Sequence, residues 1–266
     1  MNLLASRVVL RQRSLADVLD LAIPFCLMNK RPLGVLAAIV LGPLAGLTAY
    51  LRIAAHWQWQ NLWLVIGCAA FVLDGAFTVA LGELLFQEPG NARVGGILRR
   101  FFRRLPACVV AFVVRGVVLL ASFALIVMPF FLAPPSMFMT EALLLENATL
   151  GKALERSRAL SRNRLFGCLG LWLATLTLPA FGAIAMDVIG NSVVGFVLQL
   201  GRPTGELFEH GGSGFAVLGA LLCIPVAAAM RFLYYIDLRT RKEGWDIQLR
   251  FVSLAEQASS GRRFAA

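Results

Sequence analysis

The stretch Phe130-Phe-Leu-Ala-Pro-Pro-Ser-Met-Phe-Met-Thr-Glu-Ala-Leu-Leu-Leu-Glu146 decides how the chain is organised. It is apolar but interrupted by Pro134-Pro135, and it is shorter than the ~20 residues a helix needs to cross a ~30 Å hydrocarbon layer. It reads either as a span that begins at the prolines or as a re-entrant half helix. Five other runs are long enough to cross: 33–54, 61–85, 106–129, 165–188 and 213–235. The basic residues choose between the readings. Of 25 Lys and Arg, 21 fall in the segments 1–32, 86–105, 147–164 and the tail after 235. All four segments share one side only if 130–146 crosses. The expectation is therefore an all-α polytopic bundle of six transmembrane helices with both termini cytoplasmic, as the positive-inside rule requires.

Composition agrees. Of 266 residues, 59% are apolar and 15% charged, against ~45–50% and ~25% in soluble domains. The mean hydropathy is +0.75. Disordered chains, disulfide-rich secreted modules and ordinary soluble enzymes are excluded. The net charge of +10 follows from the basic loops of a membrane protein, so membrane lipids rather than nucleic acid are the implied partner. Cys26, Cys68, Cys108, Cys168 and Cys223 stand singly in apolar runs and read as free thiols. Tyr50, Trp57, Trp59 and Trp63 mark an outer turn, and Tyr234 and Tyr235 an inner helix end.

Three parts follow: a cytoplasmic amphipathic segment 1–32, a transmembrane domain 33–235, and a cytoplasmic helix and tail 236–266. In the first, Ser14 with Asp17 forms a capping box before the helical spacing of Leu15, Val18, Leu19, Ala22 and Ile23, and the helix is expected flat on the membrane surface. Residues 91–104 and 149–163 read as further basic amphipathic helices, and the last span continues through opposite-charge pairs Arg239–Glu243 and Lys242–Asp246.

Charges inside spans cost ~2.5–3.5 kcal/mol at a helix centre. Asp187 lies near an outer end, and Glu83 and Arg231 lie near inner ends where they can snorkel. Asp74 and Arg115 sit at matching depth on neighbouring helices, which predicts a buried ion pair with Glu141 as a second partner for Arg115. Such a pair fixes helix register; the alternative is an ion path. Gly42 and Gly46 form a GxxxG, a candidate face for a second copy of the chain. His56 and His210 are too few for zinc, which takes three or four ligands. No catalytic, cofactor-binding or metal site is read from the sequence.

Three segments carry a resemblance: Leu15-Ala-Asp-Val-Leu-Asp-Leu with Asn29-Lys-Arg-Pro; Glu141-Ala-Leu-Leu-Leu-Glu through Ala153-Leu-Glu-Arg-Ser-Arg-Ala-Leu160; and Arg231 through Arg250. Together they resemble a group of bacterial six-helix membrane proteins similar to the membrane domain attached to glycerophosphodiester phosphodiesterases. The catalytic domain is absent here, so the resemblance implies an inner-membrane anchor or partner for an envelope protein. It also places Arg156, Ser157, Asp237, Arg239, Glu243 and Asp246 on a cytoplasmic collar. The expectation is a non-enzymatic scaffold; a small transporter or channel using Asp74, Arg115 and Glu141 is the alternative.

Overall fold

In the computed structural model the described residues are 14–86, 94–122, 128–146, 148–162, 164–199 and 207–243. They form α1 (Leu15–Met28), α2 (Lys30–Ile53), α3 (Trp59–Phe86), α4 (Val94–Ser122), α5 (Met128–Ser136), α6 (Met139–Leu145), α7 (Leu150–Ser161), α8 (Leu165–Ser192), α9 (Leu207–His210) and α10 (Gly214–Glu243). A π-helical turn, Val193–Val197, extends α8. No strand occurs among the described residues.

Among the described residues, four helices are long and apolar enough to cross a membrane: Lys30–Ile53, Trp59–Phe86, Leu165–Val197 and Gly214–Lys242. The most apolar window of the last is 72% buried and that of the third 17%, so α10 is the central post and α8 an outer wall. Outward on α8 and α2 point Leu176, Phe181, Val188, Val35, Ile39 and Leu47. Large apolar side chains facing out in this number suit lipid and not water. The inward stripe of α2, Leu33, Leu36, Val40, Leu44 and Thr48, keeps helical spacing.

α8 and α10 meet through glycine. A Cβ on Gly219 would collide with the backbone of Gly182, so the two helices touch main chain to main chain. Close approach of this kind is how helices gain dispersion contact where lipid removes the hydrophobic drive. At one end of the bundle Trp63 Nε1 donates to the Gly211 carbonyl at 2.9 Å, and Arg52 lies over the Trp59 ring. This tryptophan end ties the α2–α3 turn to the start of α10. The opposite, basic end holds the starts of α4 and α8 and the end of α10.

Two expectations change here. The basic stretch 91–104 is not a separate helix: Val94–Ser122 runs unbroken through Pro106, because Leu98, Phe101, Leu105 and Cys108 continue one inward face. α1 keeps its capping box, Ser14 N–H to Asp17 Oδ2 at 3.0 Å and Asp17 N–H to Ser14 Oγ at 3.2 Å. It does not lie across the end of the bundle. Leu15 shares a cavity wall with Tyr234 and Leu238, while Cys26 Sγ lies 3.8 Å from the Pro225 carbonyl. α1 therefore runs lengthwise along α10, burying the stripe Val18, Ala22 and Phe25.

Candidate functional site

The segment 130–146 breaks after its prolines, not at them. α5 runs through Pro134 and Pro135 to Ser136, and α6 begins at Met139. A break leaves backbone groups without helical partners. One side chain closes it: the Ser157 hydroxyl, on α7, donates to the Pro135 carbonyl at 2.6 Å and accepts from the Phe138 N–H at 3.1 Å. Ser157 is fully buried. Placed on the collar by resemblance, it is instead an internal staple.

The staple positions α6, and α6 carries Glu141, also fully buried. Its Oε1 accepts from Arg231 Nε at 2.9 Å, while Oε2 has no hydrogen-bond partner among the described residues. Arg231 also donates to Asp74 through its terminal nitrogen. Thus α3, α6 and α10 are joined by one guanidinium between two carboxylates. Arg115 is not the partner of Asp74: among the described residues it forms no ion pair, and its guanidinium lies 4.9 Å from the centre of the Phe71 ring. It remains close enough to act electrostatically on Asp74, Glu141 and Arg231.

Matching depth fixes one coordinate of a side chain and leaves its direction round the helix open, so Arg115 and Asp74 miss each other. Arg231 was placed near a helix end because the apolar run stops at 235. The helix continues to Glu243, which puts Arg231 roughly 18 Å from its end at 1.5 Å per residue. In the structure Arg231 pairs with Asp74 and Glu141 rather than snorkelling.

The ion cluster floors an apolar cleft of about 530 Å³ between α3, α8 and α10. Trp63, Gly67 and Phe71 line one wall, Pro179 and Ile184 another, and Asp74 and Arg231 close the bottom. From Trp63 to Asp74 the cleft runs roughly 16 Å along α3. Its shape admits an elongated apolar group, and its floor offers both a hydrogen-bond donor and an acceptor.

Glu146 organises the basic end. It forms ion pairs with Arg156 of α7 and, at 3.3 Å, with Arg239 of α10, and it accepts from the Tyr235 hydroxyl. Asp237 pairs with Arg241 at 2.8 Å one turn along the same helix. Of the expected collar, Arg156 and Arg239 therefore meet on Glu146, which sequence reasoning had not singled out. Glu243 ends α10, and Asp246 lies outside the described residues. At the other end the buried Asp187 accepts from Asn191 Nδ2 at 3.0 Å, from the Leu207 N–H at 3.1 Å and from the Ser213 hydroxyl. Ser213 in turn accepts from the Ala216 N–H at 2.9 Å, so Asp187 holds the cap of α10.

Among the described residues no group of three or more His, Cys, Asp or Glu is placed to hold a metal. The fold and site define an all-helical, membrane-embedded bundle around a buried ion cluster. No family model, curated protein or solved structure matches the chain.

Proposed function

We propose that this is a non-enzymatic multi-pass membrane protein that anchors a partner protein at its basic end. The observation that carries this reading is the Glu146 joint. Together with the Ser157 staple it holds α7 against α10 and α6, so that α7 turns Lys152, Arg158 and Arg162 outward on a fixed backbone. A rigid basic face suits an acidic surface on an envelope protein. The charge distribution supports six crossings with both termini in the cytoplasm of a bacterial inner membrane, the basic end inward. Affinity purification from native membranes with intact-complex mass tests it. A near-stoichiometric protein partner, lost in Arg158→Glu at unchanged thermal stability, is the expected result. A partner-free particle overturns the reading.

A second reading, a small transporter, is favoured by one observation: the cleft ends on Asp74 and Arg231. Flux in liposomes that disappears in Asp74→Asn, compared at equal amounts of folded protein, would establish it in place of the anchor.

A further inference from the structure

A second cavity, of about 250 Å³, opens at the basic end, where α1 and α8 begin and α10 nears its end. Its polar lining is Arg164, Tyr234, Asp237 and Arg241, and one wall is Leu165, Phe166 and Gly167, the first turn of α8. Asp237 is held by Arg241 at 2.8 Å. Arg164 is exposed and forms no ion pair among the described residues. Among the described lining residues, two guanidiniums stand against one carboxylate. The first-turn N–H groups of a 28-residue helix add donors and the positive end of its dipole.

Tyr234 is the informative member. It is only 4% exposed, and its hydroxyl rests against Gly167, where any Cβ would collide with it. That hydroxyl has no hydrogen-bond partner among the described residues. The ring is buried while the hydroxyl opens on the cavity, beside two guanidiniums and the Asp237 carboxylate. Of the described apolar side chains lining the cavity, Phe166 is largely exposed, at 88%, which suits the glycerol and acyl region of a lipid better than water.

We propose that this cavity binds the phosphate of an anionic phospholipid headgroup. Arg164, the Tyr234 hydroxyl and the start of α8 donate to its oxygens, and Arg241 supplies charge from beside Asp237. Basic pockets between membrane helices take lipid headgroups by this chemistry. The site stands independently of the anchor reading, since neither Lys152 nor Arg158 lines it.

The full chain in detergent, titrated with phosphatidylglycerol, phosphatidylcholine and inorganic phosphate and followed by native mass spectrometry, tests the site. The expected result is one retained phosphatidylglycerol, bound about tenfold more weakly by Arg164→Gln and by Tyr234→Phe, since each removes one charge-assisted hydrogen bond. Arg158→Gln should bind as the parent does. Tyr234→Phe keeps the ring that stacks on Phe138, so it carries the test even where Arg164→Gln is unstable. Equal retention of phosphatidylcholine overturns the proposal. So does equal weakening by Arg158→Gln, which is surface attraction, or displacement by inorganic phosphate, which makes the ligand a soluble anion.

Discussion

Arg231 Nε donates to Glu141 Oε1 at 2.9 Å across 90 residues of chain, and the same guanidinium holds Asp74. One cation thus serves two carboxylates from two other helices. Breaking a buried pair by removing one partner costs about 3–5 kcal/mol, because the other charge is stranded. Arg231→Gln strands two, and should lower folded yield and thermal stability more than Asp74→Asn or Glu141→Gln. The double change Asp74→Arg with Arg231→Asp should recover part of the loss, and Asp74→Arg with Arg115→Asp none. Recovery by the Arg115 swap and not by the Arg231 swap would assign the pairing to Arg115.

Ser157→Ala removes both hydrogen bonds across the α5–α6 break. Unpaired buried groups cost about 1–3 kcal/mol, so its unfolding temperature in detergent should fall clearly. Ser161→Ala is the control, because Ser161 only bonds back to carbonyls of its own helix, Ser157 at 2.9 Å and Arg158 at 3.3 Å, and should change little.

Arg156 and Arg239 act through one carboxylate, so their effects should not add. In a Glu146→Gln background, Arg156→Ala and Arg239→Ala should lose most of the effect each has in the parent. The coupling should be on the order of 0.5–3 kcal/mol, read from thermal unfolding of the full mutant cycle. Additive losses would mean that Glu146 does not join α7 to α10.

Glycines separate by what a side chain would meet. Gly219→Leu drives a branched chain into the backbone of Gly182 and should prevent α8 and α10 from docking, with loss of folded protein. Gly42 and Gly46 face open space, so Gly42→Leu and Gly46→Leu should leave the monomer folded. Cross-linking that falls in these two variants would show a second copy seated on that face.

The all-helical, apolar character of the chain and its two buried carboxylates were legible in the sequence, the latter because hydrocarbon penalises charge, so Asp74 and Glu141 stand out against their runs. Hydropathy reports where apolar composition stops, which sets Arg231 near an end, whereas α10 continues as a helix into charged sequence as far as Glu243. Ser157 and Glu146 were not legible as joints. A serine in an amphipathic stretch and a carboxylate beside a turn have ordinary local spacing, and their partners lie 22 residues or more away: Pro135 for one, Tyr235 at 89 residues for the other. Asp187 was set aside because it sits near a helix end, yet that end is where its backbone and hydroxyl donors lie.

The break between α5 and α6 bears on the order of synthesis. An unbonded buried carbonyl or N–H costs about 1–3 kcal/mol, and among the described residues the groups left by Pro135 and Phe138 find their partner in Ser157. As the nascent chain emerges, the segment around the break has no complete set of partners until α7 has followed it. Its final packing is therefore a late event, waiting on the hydroxyl that α7 supplies.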